Sequence, residues 1–238
     1  MSNSNNFLNY FNKIYKFLAQ SANTTTKESF VSLVKGLSKA GNWKVKNYKD
    51  DLIQFAYLRN AIVHQSTGDI IAEPNDEIVK KISDVHILLT NPPRIDSLGL
   101  DKVLTLGIDD SVMDAVKVMY ENSYSQVPVY NDEKFMDLLT SNTITRYLGS
   151  EADKDEEFIL LANSKVEDVL EYREEAFKYK FLSRNDSLLD VIEIFEEGEK
   201  SGERLEAILV TQNAKVTDSL LKIITVWDLP EIYNRISK

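Results

Sequence analysis

Two groups of residues in this sequence are of the right type and spacing to do chemistry. One is Thr225-Val226-Trp227-Asp228, a Thr-x-x-Asp that closes an apolar run, Ile223-Ile224. A hydroxyl at a strand end and a carboxylate one turn later face the same way. A carboxylate there can accept two hydrogen bonds from a diol, and the start of the following helix favours a phosphate. The other is Arg59-Asn60-x-x-x-His64, inside Leu58–His64 (LRNAIVH). Positions five apart lie about 140° apart on an ideal helix, so Arg59 and His64 share a cleft only across a dimer or at a bent helix end. An ordinary structural role is open to each group. Asp228 can cap its own helix. Arg59 can pair with Asp50 or Asp51, Asn60 can cap backbone, and His64 can sit as a helix-end histidine whose charged form the dipole favours.

The Thr-x-x-Asp belongs to a repeat. Thr105–Met119 (TLGIDDSVMDAVKVM) lies over Phe181–Phe195 (FLSRNDSLLDVIEIF), with Asp110-Ser111 on Asp186-Ser187 and Asp114 on Asp190. Each copy continues into a β-like run, Gln126–Tyr130 and Glu206–Val210, then an apolar pair and a threonine, Leu138-Leu139-Thr140 and Ile223-Ile224-Thr225. In the first copy Thr143 stands where the second has Asp228.

Periodicity supplies the elements that must position these residues. Before residue 93 the pattern is helical. Amphipathic stripes run over Phe7–Ala19, Lys27–Ala40, Tyr48–His64 and Glu77–Leu89, with Gly41-Asn42 stopping the second and Asn91-Pro92-Pro93 ending the last. A four-helix unit is expected. From residue 94 the pattern becomes strand (103–106), helix (111–121), strand (127–130), strand (135–140) and helix (142–148), and Pro128 suits an edge strand. An acidic loop, 151–157, and a helical turn, 166–170, follow. The second copy has a strand from 181, a helix 188–197, strands 207–210 and 220–225, and a helix 227–236. It is lengthened at 198–204 and 213–219. Repeats of this size are expected to pack on one another.

Residues 103–234 resemble a CBS-domain pair, or Bateman module. The marks are the Asp-Asp-Ser and Asn-Asp-Ser helix entries, Val127-Pro128-Val129 and Thr225-x-x-Asp228, in the same order twice. The resemblance implies a pseudo-twofold pair of sheets with two clefts for adenine nucleotides. By it, Thr225, Asp228, Phe181 and Ala207 would form the second cleft, and Thr140, Thr143, Thr105 and Val127 the first. The family's glycine before the last strand is missing from both copies, and Arg146 and Arg184 are candidates to reach a phosphate. Residues 7–90, with Arg59, Asn60 and His64, resemble the HEPN superfamily, whose members include toxin and defence ribonucleases. There the resemblance implies histidine moving a 2′-OH proton and arginine stabilising the phosphorane, without metal.

The expected fold is therefore α+β: a helical HEPN-like domain at 1–93, a first CBS motif at 94–149 and a second at 150–238. The expected function is a regulator whose CBS pair binds AMP, ADP or ATP and modulates the helical domain. Two alternatives stand beside it. One is a metal-independent endoribonuclease under CBS control, and the other is a ligand-free dimerisation module. The expected partners are an adenine nucleotide, a second copy of the chain and, through the N-terminal domain only, RNA.

Composition narrows the field. The chain has no cysteine and two histidines, which speaks against disulfides, thiolate zinc sites and a transition-metal site. There is no Gly-rich phosphate loop, Gly-x-Ser-x-Gly, His-Glu-x-x-His or EF-hand loop. The net charge of -10 is uneven: residues 1–93 hold 11 Lys and Arg against 8 Asp and Glu, and the rest hold 17 against 30. A strongly acidic second part repels nucleic acid, so RNA is expected only at the first. No secretion signal is visible, and no apolar run approaches the roughly 18 residues of a membrane span. A cytoplasmic protein is expected, with no membrane partner.

Overall fold

The computed structural model describes residues 2–24, 28–63, 70, 72–152, 164–174, 177–202 and 204–236. It divides into two units, Met1–Pro93 with Arg235–Lys238, and Arg94–Asn234.

The first unit is helical among its described residues: α1 (Asn3–Ser21), α2 (Phe30–Lys39), α3 (Trp43–Asn47), α4 (Lys49–Ile62) and α5 (Asp76–Thr90). Side-chain caps start four of them. Ser2, Ser29, Asn42 and Asn75 each accept a hydrogen bond from the backbone N–H three residues on, satisfying a donor that the helix leaves unpaired. The core is the apolar stripe of each long helix, with Phe7, Ile14, Leu18, Val34, Leu52 and Ile82 fully buried. Phe11 stacks on Phe30 with ring centres 4.4 Å apart, and Phe7 meets Phe55 edge-on. Ser4 is buried at the start of α1. Its hydroxyl lies 2.8 Å from the Ala72 carbonyl and 2.5 Å from Glu73 Oε2, tying α1 to the segment that enters α5.

This unit departs from a four-helix bundle. Asn42 does not simply stop α2; after Gly41, at φ +87°, it caps the short helix α3. Five residues are too few for a periodic stripe, so nothing in the pattern announces α3. Helix α4 ends at Ile62, short of the expected His64, because Val63 turns extended and bridges to Ile70. His64 and the expected helix start at Lys27 lie outside the described residues.

The second unit holds two sheets of the same plan. In one, β1 (Leu106–Gly107) runs parallel to β2 (Gln126–Asn131), which runs antiparallel to β3 (Lys134–Thr140). In the other, β4 (Phe177–Ser183) is parallel to β5 (Arg204–Thr211), and β5 antiparallel to β6 (Lys222–Ile224). The helices are α6 (Val112–Asn122), α7 (Ser141–Ala152), α8 (Val166–Leu170), α9 (Leu188–Ser201) and α10 (Leu229–Ile236). The expected loop at 151–157 gives way to α7 as far as Ala152; beyond that it lies outside the described residues. The turn expected from Gly198 is helical, and α9 ends at Gly202, whose φ of +72° suits glycine.

Three strand expectations are corrected. The first strand is Leu106–Gly107, not 103–106, because pairing with β2 begins only opposite Val129. Strand β4 starts earlier than Phe181, because its parallel pairing with β5 begins at Phe177. Pro128 is in the central strand of its sheet, not at an edge. It is tolerated there because β1 does not reach it: the first β1 partners are Val129 and Tyr130.

The repeats exchange their leading segments. Ahead of β1, Ile95 and Asp96 donate backbone hydrogen bonds to the Asp186 and Arg184 carbonyls of the second copy. Ahead of β4, Val166 and Glu167 donate to the Asp110 and Ile108 carbonyls of the first. The boundary at 149/150 is thus crossed by backbone hydrogen bonds. Phe135, Leu138, Ala207 and Leu209 form a shared core, with Phe135 edge-on to Tyr130, Tyr179 and Phe181.

Candidate functional site

Strand β6 ends at Ile224, and Thr225 starts a 3-10 turn, Val226–Asp228, that leads into α10. The turn is a capping box. Thr225 N–H donates to Asp228 Oδ2 at 2.7 Å, Thr225 Oγ1 donates to the same oxygen at 3.1 Å, and the Trp227 N–H reaches Thr225 Oγ1 at 3.3 Å. The structural role open to Asp228 is therefore real, but it engages only Oδ2. Among the described residues Oδ1 accepts no hydrogen bond.

A cleft opens beside this turn. It encloses about 310 Å³ and is lined by residues 101–104 and 123–126 with Pro128, Lys222, Ile223, Thr225 and Trp227. That volume is at the lower end of the roughly 300–1,000 Å³ of small-molecule sites. The cleft exists because β1 is so short: residues 101–104 pass the open edge of β2 without pairing as a strand. Trp227, 85% exposed, and the exposed Tyr124 supply aromatic surface. Lys102 and Lys222 supply positive charge, and Lys222 Nζ lies 3.9 Å from Asp101 Oδ2.

The first copy has the same turn with different chemistry. Thr143 N–H donates to Thr140 Oγ1 at 3.1 Å, and the two hydroxyls lie 2.9 Å apart, both buried. With Ser125, Ser141, Asn142, Glu174 and Glu206 they line a hollow of only about 160 Å³. It carries two carboxylates and no lysine or arginine in its lining. Arg146 is engaged by the Tyr172 carbonyl at 2.9 Å and Glu174 at 3.9 Å, and Arg184 by Asp96 at 3.5 Å.

The expected grouping of site residues by copy is corrected. Thr225 meets the segments next to Thr105 and Val127, not Phe181 and Ala207. Thr140 and Thr143 meet Glu174 and Glu206 of the second copy. Phe181 and Ala207 belong to the shared aromatic core, Val127 is buried in the core of the first copy, and Thr105 is exposed outside both linings. The physical reason is the exchange of leading segments, which places each threonine turn against the other copy. Lys222 and Tyr124 were missed. Lys222 stands three residues before Thr225 on β6, and that spacing was the available signal.

In the helical unit, Arg59 Nη1 donates to Asn60 Oδ1 at 3.4 Å, so these two residues are together. Asp51 pairs instead with Lys81 at 2.5 Å. No cluster of metal-binding side chains and no helix able to cross a membrane occurs among the described residues.

Residues 95–150 match the CBS domain family model. Solved structures with a similar outline include a CBS domain-containing protein from Kribbella flavida DSM 17836, at 16% identity and TM-score 0.45, covering 59% of this chain and 97% of that one. A CBS-domain containing protein from Agrobacterium tumefaciens gives 17% and 0.40, with 58% and 94% covered. CBSX2, solved in complex with AMP, gives 14% and 0.43, with 61% and 99% covered. Among curated proteins the sequence finds no match. Residues 95–150 of this chain are a CBS domain.

Proposed function

We propose that the chain is a ligand-sensing regulator whose cleft beside Thr225 takes an adenine nucleotide, and that occupancy of this cleft modulates the N-terminal helical unit. The observation that carries the reading is Asp228. Its carboxylate is held by the turn through Oδ2 while Oδ1 accepts no hydrogen bond among the described residues, and Thr225 and Trp227 of the same turn line an open cleft that also presents lysine. A ribose diol suits that oxygen, and the lysines suit a phosphate. The first-copy hollow, half the volume and lined by Glu174 and Glu206, suits neither. One nucleotide per chain is expected. A thermal-shift panel of AMP, ADP, ATP and cyclic dinucleotides tests the assignment of ligand class. A true ligand at a hundredfold excess over its Kd stabilises by about 2.7 kcal/mol. A flat response to every member of the panel counts against the reading.

A second reading, a metal-independent endoribonuclease, is favoured by one feature of the helical unit. The Arg59 guanidinium has no carboxylate partner among the described residues and lies on Asn60, at the end of α4. The test is incubation of the full chain with RNA in EDTA. Cleavage that is lost in His64→Ala is the expected result; cleavage that persists in His64→Ala, or none in either protein, removes this reading.

A further inference from the structure

The residue three before the strand-end threonine has opposite charge in the two repeats: Asp137 before Thr140, and Lys222 before Thr225. Each is the better buried member of an ion pair, and each partner comes from the segment ahead of the other repeat's first strand. The two pairs differ in tightness. Asp137, its side chain 10% exposed, is 2.5 Å from Arg173 Nη1, accepts the Leu138 N–H at 2.9 Å and faces the Tyr179 hydroxyl. Lys222, its side chain 18% exposed, has only Asp101 at 3.9 Å, and that carboxylate is 90% exposed. At this distance the Lys222 ammonium makes no hydrogen bond among the described residues. An ammonium group carries three donors and loses much of its hydration when tucked into a wall. Lys222 is thus a largely desolvated cation, in the lining of a cleft, held by a loose and solvent-washed partner.

Resting on the nucleotide reading above, we infer that Lys222 binds the phosphate of the ligand and that Asp101 is an internal competitor which the phosphate displaces. A phosphate oxygen at hydrogen-bond distance replaces a carboxylate that is too far away to accept one. The mirror position in the first repeat holds a carboxylate locked by Arg173 and Tyr179, so the same exchange is closed there. Trp227 and Tyr124 line the same cleft and offer the uncharged part of the ligand aromatic surface.

The test is calorimetric titration of AMP and of adenosine into the full chain, as wild type, Lys222→Met and Asp101→Asn. Wild type is expected to bind AMP about tenfold or more tightly than adenosine, the scale of a hydrogen bond to a charged group. Lys222→Met is expected to erase that preference while keeping adenosine binding. Asp101→Asn is expected to tighten AMP by about two- to fivefold, the scale of an exposed ion pair, and to leave adenosine unchanged. Equal affinities for AMP and adenosine in wild type, or a preference that survives Lys222→Met, overturn the role of Lys222 while leaving the cleft occupied. Weaker AMP binding in Asp101→Asn overturns the role of Asp101. Binding of neither compound overturns the nucleotide reading and this inference together.

Discussion

On the proposed reading, Asp228 serves structure and ligand at once. One oxygen closes the turn that starts α10, and the other accepts no hydrogen bond among the described residues. Its counterpart Thr143 can do only the first job, since its hydroxyl is turned to Thr140 and both are buried. Tyr179, beside Asp137, carries a separate prediction. Burial, and after it the negative Asp137, push its phenol from 10 up to about 12. The fold therefore favours the neutral phenol. The stability this contributes is complete below pH 10 and is lost as pH rises through about 12. Urea denaturation midpoints should fall across that window in wild type and fall less in Tyr179→Phe. Burial also raises the phenols of Tyr48, Tyr130 and Tyr233, so the comparison of the two proteins is the readout, and identical pH profiles would remove the link between Tyr179 and stability.

At the scale of elements, the helix entries carry local energy that can be measured. Ser187 caps α9: its hydroxyl accepts the Asp190 N–H at 3.2 Å, and Asp190 Oδ2 accepts the Ser187 N–H at 2.9 Å. Ser187→Ala should lower unfolding stability by about 1 kcal/mol, read as a shift of the denaturation midpoint at constant slope; an unchanged midpoint would show that the box carries no weight. Such entries were legible in sequence because a cap involves residues three apart. So were the long amphipathic helices, whose stripes are local. The lengths of β1 and β4 were not, because a strand ends where its partner does, and the partners Val129 and Arg204 lie more than twenty residues away. Pro128 was misplaced for the same reason. Its position in a central strand depends on where β1 stops, and residue preference alone does not carry that.

At the scale of the molecule, the repeat was legible and the composition of its clefts was not. Laying the copies over one another groups Phe181 and Ala207 with Thr225, but the chain exchanges its leading segments and delivers residues 101–104 instead. Duplication with exchange yields two sites of common plan. Substitution at two positions of each, Thr143 against Asp228 and Asp137 against Lys222, then makes them chemically unlike. One cleft is open and lined by Lys102, Lys222 and aromatic surface; the other is small, acidic and internally paired. The central claim is that the Thr225 cleft alone holds an adenine nucleotide. It is tested most directly by isothermal titration of AMP into wild type and Asp228→Ala. One site per chain is expected in wild type, with a loss of roughly tenfold or more in Asp228→Ala, the scale of a hydrogen bond to a charged group. Two equal sites per chain, or undiminished affinity in Asp228→Ala, would contradict it.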